Sequence, residues 1–134
     1  MLRAGKTALG SWIGMMNPEA VWTMANAGFD WILFDTEHGY PTIESVDRMI
    51  KFIRGAPAIP LVRVVWNDLN AIKRALDTGV YGVVIPWISN KEEAENAVRA
   101  CMYPPEGLRG VAPNRAATAW NVTPESIYRL PMMK

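Results

Sequence analysis

Several side chains capable of acid–base or anion-binding chemistry lie at the ends of short apolar segments. His38, the single histidine of the chain, follows the apolar segment that ends at Asp35, and Asp35 and Glu37 both lie within three residues of it. Neighbouring carboxylates can fix the tautomer of an imidazole and raise its basicity, so His38 is the leading acid–base candidate. The alternative is a loop histidine that is hydrogen-bonded to a carboxylate for local order, and both interpretations stay open.

Arg63 is the candidate for binding an anion. It interrupts the otherwise apolar segment 61–65. A guanidinium is charged at every physiological pH and is costly to bury unless it meets a carboxylate or an anionic ligand. A substrate carboxylate would accept two parallel hydrogen bonds from it. The structural alternative is an internal ion pair with Glu37 or Asp35.

Two tryptophans and one aspartate complete the candidate set. Trp12 and Trp87 lie in or just after predicted strands; each is of a type that more often packs a core, although either could wall a small pocket. Asp77 ends a predicted helix, which a crossover connection places at the opposite end of the sheet from His38. A functional contact between Asp77 and His38 therefore requires another subunit, and the alternative is an ordinary helix-end acid.

The elements that must position these residues alternate along the chain. Four β-rich segments predict strands at residues 9–14, 30–35, 59–66 and 80–88. Helical spacing and capping residues predict helices over 18–28, 42–53 and 68–76, and a fourth that begins at residues 89–90 and ends before Pro104. Residues 107–122 are predicted to form a long loop, and residues 124–130 the first turns of another helix.

Four βα units fit either an open doubly wound sheet or half of a (β/α)₈ TIM-type barrel, which takes about 250 residues. No Gly-x-Gly-x-x-Gly turn follows the first strand and the sequence contains no P-loop, which favours the barrel. We therefore predict one α/β domain over residues 1–134 that covers the first four βα units of a barrel. Half a barrel leaves strand edges unpaired, so dimerisation or further sequence has to cover them.

The amino-acid composition limits the classes of molecule that the protein is expected to bind. Half of the 134 residues are hydrophobic, and 14 basic against 13 acidic side chains give a net charge of +1. That balance predicts a folded domain with neither nucleic acid nor an anionic membrane as partner. The longest apolar run is under half of the roughly 20 residues that a spanning helix needs, and no signal-peptide hydrophobic region is present, so a cytoplasmic protein is expected. One cysteine and one histidine exclude an internal disulfide and a zinc cluster within the chain.

Five segments resemble the HpcH/HpaI aldolase family, in the family's order and spacing. They are GSWIG at 10–14, FDTEHG at 34–39, LVR at 61–63, LDTG at 76–79 and YPPEGLRG at 103–110. The resemblance covers almost the whole chain but only the first half of a complete family member. It implies a (β/α)₈ barrel of the phosphoenolpyruvate/pyruvate superfamily, a homo-oligomer that reversibly cleaves 4-hydroxy-2-oxo acids to pyruvate and an aldehyde with a divalent metal, Mg²⁺ or Mn²⁺.

The resemblance also implies roles for individual residues. His38 matches the family's acid–base histidine, and Arg63 matches the arginine that binds pyruvate and stabilises its enolate. Trp12 matches a tryptophan of the pyruvate pocket. Asp77 matches an aspartate that pairs with the histidine across a subunit interface, and Asp35 matches an acid beside the metal that acts through water. We also expect His38 and Arg63 to open to one cavity, with Asp77 remote from His38 in its own chain.

The family's glutamate and aspartate metal ligands lie on later strands and would follow Lys134, so this sequence has no counterpart for them. Self-sufficient catalysis by residues 1–134 is therefore not implied. Two alternatives stay open. One is a non-catalytic half-barrel, either a fragment or a subunit completed by another chain. The other is a citrate-lyase-like enzyme acting on acyl-CoA thioesters, which a basic patch for the CoA phosphates would favour, and no such patch is present.

Overall fold

The protein, seen here in a computed structural model, is described over residues 4–127. Its strands form one four-stranded parallel sheet, and they are β1 (Gly10–Ile13), β2 (Trp31–Asp35), β3 (Ile59–Arg63) and β4 (Gly82–Val84). The α-helices are α1 (Pro18–Asn26), α2 (Ile43–Met49), α3 (Leu69–Asp77), α4 (Lys91–Cys101), α5 (Asn114–Trp120) and α6 (Pro124–Ile127). Over residues 4–127, no helix has both the length and the apolar character needed to cross a bilayer.

The order of the strands decides between the two predicted architectures. Strands adjacent in the chain are adjacent in the sheet, in the order β1-β2-β3-β4. A doubly wound sheet reverses its order at a switch point, whereas a barrel adds each strand beside the last. The chain is therefore a partial (β/α)₈ barrel comprising four βα units, as predicted.

Short polar side chains fix where the helices begin. Asn17 immediately precedes Pro18, the first residue of α1, and its side chain accepts a hydrogen bond from the backbone N–H of Ala20. The side chain of Asp68 accepts two hydrogen bonds from backbone N–H groups in the first turn of α3. Thr42 and Ser45 form a reciprocal capping box at the start of α2. Each cap contributes about 1 kcal/mol and ends the loop that follows a strand, so the loops at the carboxyl ends of the strands have defined lengths.

Alternation along β2 and β3 separates the helix-facing core from the site. Phe34 and Val62 pair in register and are fully buried in the core cluster under the helices. The next registered pair is Asp35 and Arg63. Because successive side chains of a strand point to opposite faces, Asp35 and Arg63 lie side by side on the face turned away from the helices.

The prediction of a long loop over residues 107–122 is wrong, because α5 occupies part of it. The buried residues of α5 are Ala116, Ala117 and Ala119, and alanine is the best helix former. Because these side chains are small, the segment lacks the alternation of large apolar and polar residues that indicates an amphipathic helix. Asn121, at φ 54°, ends the helix in the left-handed conformation. The predicted helix over 124–130 begins as expected with α6, and its residues 128–130 lie outside the described residues.

The predicted strand over residues 80–88 is much shorter than expected. Only Gly82–Val84 pair with β3. Pro86 lacks an N–H to donate, and Trp87 adopts φ 59°, which no extended strand accommodates. Similarly, the strand predicted over 59–66 ends at Arg63, and the helix predicted over 42–53 is α2 followed by a 3₁₀ turn, Ile50–Ile53.

Candidate functional site

Arg63 and Asp35 form a bidentate ion pair at the carboxyl ends of β3 and β2. Arg63 Nε lies 2.9 Å from Asp35 Oδ1, and Arg63 Nη2 lies 2.6 Å from Asp35 Oδ2. Both side chains are largely buried. The internal ion pair, which was the structural alternative for Arg63, is thus present in the structure.

Glu37 connects the remaining candidates. Its Oε2 lies 3.1 Å from Arg63 Nε, and its Oε1 lies 3.6 Å from Nε2 of the exposed imidazole of His38. The same Oε1 accepts a hydrogen bond of 3.2 Å from the indole nitrogen of Trp87. His38 and Arg63, predicted to share one opening, therefore lie on either side of one carboxylate.

Asp35 also shapes the loop that carries Glu37 and His38. Its Oδ1 accepts hydrogen bonds of 3.1 Å from the backbone N–H groups of both residues. Gly39 completes the turn, since a Cβ at this position would clash with the carbonyl oxygen of Asp35. The loop after β2 is thus folded around the same carboxylate that holds Arg63.

Trp12 covers one face of the guanidinium. The guanidinium carbon of Arg63 lies 4.6 Å from the centroid of the Trp12 ring, a distance typical of a cation–π contact. Carboxylates hold the Nε and Nη2 atoms of Arg63, whereas Nη1 donates no hydrogen bond to any residue in 4–127. Carboxylates thus contact one edge of the guanidinium and the indole covers one face, which leaves Nη1 available as a hydrogen-bond donor.

The electrostatics of the cluster keep Asp35 and Arg63 charged. Burial raises the pKa of Asp35, but the hydrogen bonds from Arg63 and from the backbone of His38 and Glu37 outweigh it, so its pKa lies below the usual value. The hydrogen bond to Asp35 raises the pKa of Arg63 still further. Two carboxylates then face one guanidinium, and the cluster has an excess of negative charge until another cation joins it.

The Asp35 pKa predicts a loss of stability in acid. Because the folded pKa is depressed, the stabilisation is present above the unfolded pKa of about 4 and is lost as pH falls through the folded value. We expect Asp35→Asn to lower the free energy of unfolding by roughly 1–3 kcal/mol at pH 7 and by much less at pH 3. Urea titrations of wild type and variant at both pH values measure this. Glu95→Gln, which alters an exposed ion pair, is the control; an equal Asp35→Asn effect at both pH values would refute the assignment.

Asp77 lies apart from this cluster. It is the last residue of α3, whose C-terminus lies at the amino ends of the strands, so one chain does not bring Asp77 to His38. Asp77 Oδ1 instead lies 3.0 Å from Nη2 of Arg109, which is 1% exposed. The guanidinium of Arg109 also lies over the ring of Tyr103, 4.7 Å from its centroid. Pairing of Asp77 with a histidine of another subunit stays a prediction.

Sequence reasoning missed two contacts, one between Glu37 and Trp87 and one between Arg109 and Asp77. Glu37 was considered only as a neighbour of His38 and Arg63, yet it also binds Trp87. Arg109 belongs to the segment YPPEGLRG, but nothing in that segment indicates that its partner is Asp77. The charge of a buried arginine does signal a carboxylate partner, although only the fold identifies which one.

The described residues do not fit a metal site by themselves. Within residues 4–127 no group of three or more His, Cys, Asp or Glu side chains is arranged to hold a metal ion. Both oxygens of Asp35 accept hydrogen bonds from Arg63, and both oxygens of Glu37 face donors. Hard cations such as Mg²⁺ require several available oxygen ligands, which these two carboxylates do not offer.

The fold and the cluster together define a βα-barrel protein in which an arginine, paired with two carboxylates, lies at the carboxyl ends of the strands. The chain belongs to the HpcH/HpaI aldolase/citrate lyase family, whose sequence model matches residues 8–130.

Comparison with known proteins agrees with this assignment. The chain is 41% identical over 128 residues to the 4-hydroxy-2-oxo-heptane-1,7-dioate aldolase of Salmonella typhimurium, a match covering 95% of this chain and 49% of the relative. Its structure resembles the HpcH/HpaI aldolase of Desulfitobacterium hafniense DCB-2, with a TM-score of 0.81 and 31% identity over 96% of this chain and 50% of that one. It also resembles the citrate synthase SbnG, with a TM-score of 0.75 and 29% identity over 88% and 49%. The chain spans about half the length of the curated relatives it matches.

Proposed function

We propose that this chain supplies the 2-oxo acid site of an aldolase-type lyase that cleaves 4-hydroxy-2-oxo acids to pyruvate and an aldehyde. One observation carries the proposal. Arg63 is oriented by two carboxylates and one indole at the carboxyl ends of parallel strands, and an exposed imidazole lies on the other side of the bridging Glu37. The family membership and the names of the relatives support the same chemistry.

Arg63 has the role of binding the substrate anion. Nη1 would donate hydrogen bonds to the carboxylate or the 2-oxo oxygen, and its charge would stabilise the enolate that forms there. Asp35 and Glu37 hold the guanidinium in position, so its orientation is set before the substrate binds. Trp12 would wall the pyruvate pocket against the same guanidinium.

His38 has the role of moving the proton. As a neutral imidazole it would accept the proton of the substrate's 4-hydroxyl group. The C3–C4 bond then breaks, its electron pair passes to the enolate of pyruvate, and the 4-hydroxyl oxygen becomes the aldehyde oxygen. Return of the proton to C3 yields pyruvate and restores the imidazole, so the reaction consumes no other reactant.

Cofactor, partners and location form the rest of the proposal. We include a divalent cation, Mg²⁺ or Mn²⁺, because of the family membership of the chain; such an ion would supply charge stabilisation of an enolate. Its ligands would come from outside residues 4–127. We also propose a cytoplasmic homo-oligomer in which Asp77 approaches His38 of a neighbouring subunit, with no nucleic acid or membrane as partner.

The test is release of pyruvate from a 4-hydroxy-2-oxo acid by the 134-residue protein with added Mn²⁺ or Mg²⁺. The aldolase proposal predicts release above that of an Arg63→Ala control. Pyruvate release no greater than that of the Arg63→Ala control would exclude self-sufficient catalysis by the 134-residue protein. It would favour the second candidate, a non-catalytic half-barrel that is either a fragment or a subunit completed by another chain.

A further inference from the structure

Two exposed tryptophans lie beside the anion site. Trp66 follows the end of β3 by three residues, and Trp87 follows the end of β4 by three. Their ring centroids are 5.6 Å apart with an interplanar angle of 33°, and the residues are 53% and 63% exposed. The carboxyl ends of two neighbouring strands thus present a paired apolar surface.

The position of Trp87 is fixed although its side chain is exposed. Its backbone has φ 59°, a left-handed conformation that is unfavourable for a bulky residue. Such a conformation persists only where the surroundings hold it. Here the indole nitrogen donates to Glu37 Oε1, and the ring lies against Trp66. The pair is therefore a preformed surface rather than two freely rotating side chains.

One carboxylate links this surface to the anion site. Glu37 holds the indole of Trp87 through Oε1 and contacts Nε of Arg63 through Oε2. A 2-oxo acid bound to Arg63 would thus have its carbon chain close to the indole pair. Trp87 also contacts the carboxylate of Glu37, and Asp35 and Glu37 together carry one negative charge more than Arg63 balances, which disfavours a second anionic group at this place.

No cation of the described residues lies over either ring. The cation–ring contacts found within residues 4–127 join Arg63 to Trp12 and Arg109 to Tyr103. A second substrate carboxylate would therefore meet no cation of residues 4–127 stacked on Trp66 or Trp87, whereas methylene groups would be removed from water against the indoles.

We infer that Trp66 and Trp87 form an apolar subsite that selects 2-oxo acid substrates with an uncharged, apolar chain over dioates. The inference rests on the proposed function, because it requires a 2-oxo acid on Arg63. It assigns a substrate class to the site and a role in specificity to two residues that contact neither the reacting bond nor the catalytic proton.

The experiment compares three probes by titration calorimetry on the 134-residue protein: pyruvate, 2-oxohexanoate and 2-oxoadipate. Three added methylene or methyl carbons, about half buried against the exposed indoles, predict that 2-oxohexanoate binds about tenfold more tightly than pyruvate. 2-Oxoadipate, with a six-carbon chain ending in a carboxylate, should bind no more tightly than pyruvate. In Trp87→Ala and Trp66→Ala the ratio of the 2-oxohexanoate and pyruvate affinities should fall to about twofold or less.

Trp22→Ala, which removes an exposed tryptophan of α1, is the matched control and should retain the wild-type ratio. Pyruvate binding that depends on Arg63, together with equal affinities for all three probes, would overturn the apolar subsite while the proposed function stands. Tighter binding of 2-oxoadipate than of 2-oxohexanoate would also overturn it. Absence of pyruvate binding to the wild-type protein would overturn both.

Discussion

Replacing Arg63 by alanine should lower the affinity of the proposed 2-oxo acid site for pyruvate by about 100-fold, as measured by titration calorimetry at neutral pH. Hydrogen bonds to charged groups contribute roughly 1.5–3 kcal/mol each, and the variant loses both the donors and the positive charge. Asp35 and Glu37 remain and repel the incoming carboxylate once their guanidinium is absent.

Arg63→Lys is the matched control for charge. Lysine keeps the positive charge but lacks the planar fork that engages two oxygens at once, so we expect an intermediate loss of about tenfold. Urea denaturation of both variants checks that they remain folded. An alanine variant that unfolds cooperatively and binds pyruvate within threefold of wild type would exclude Arg63 from the anion site.

The second large effect concerns the ion pair between Asp77 and Arg109. We expect Arg109→Met to lower the free energy of unfolding by about 3–5 kcal/mol, because the variant deprives a buried carboxylate of its guanidinium partner. The variant also loses the contact between the guanidinium and the Tyr103 ring. Equilibrium urea unfolding measures the change.

Two further variants separate loss of the ion pair between Asp77 and Arg109 from the effect of shortening an arginine side chain. The double variant Asp77→Leu with Arg109→Met also removes the buried carboxylate that Arg109→Met leaves without its guanidinium. It should therefore be less destabilised than Arg109→Met alone. Arg74→Met removes the exposed partner of Glu44 and should leave the denaturation midpoint nearly unchanged. If the double variant costs as much as Arg109→Met and Asp77→Leu measured singly and summed, Asp77 and Arg109 do not stabilise each other.

Periodicity predicts most of this fold because most elements bury large apolar side chains in a regular pattern. The apolar run of β2 indicates a strand buried on both faces, and the Asp68 cap marks the start of α3. The helix α5 could not be found in the same way. Its buried side chains are small alanines, so it shows no amphipathic contrast, and its position depends on Trp120, whose indole donates to the carbonyl oxygen of Gly79.

The common location of the candidate site residues was also predictable in part from the sequence. Parallel strands bring their carboxyl ends to one edge, so the sequence alone places His38, Arg63 and Asp35 there. It could not decide whether Arg63 meets a carboxylate or a ligand, and the structure shows two carboxylate partners. Trp87 was a candidate pocket wall, but its contacts with Glu37 and Trp66 were unpredictable because they depend on a left-handed backbone conformation that few tryptophans adopt.

Arg63 and His38 are proposed to serve one bound 2-oxo acid, and nuclear magnetic resonance of the single imidazole tests this most directly. His38 gives the only histidine Cε1–H signal of the chain, so its assignment needs no further variant. Titration with pyruvate at constant pH should shift this signal saturably in the wild-type protein and leave it unmoved in Arg63→Ala. An unshifted signal at pyruvate concentrations that saturate binding, or an equal shift in the variant, would contradict a shared site.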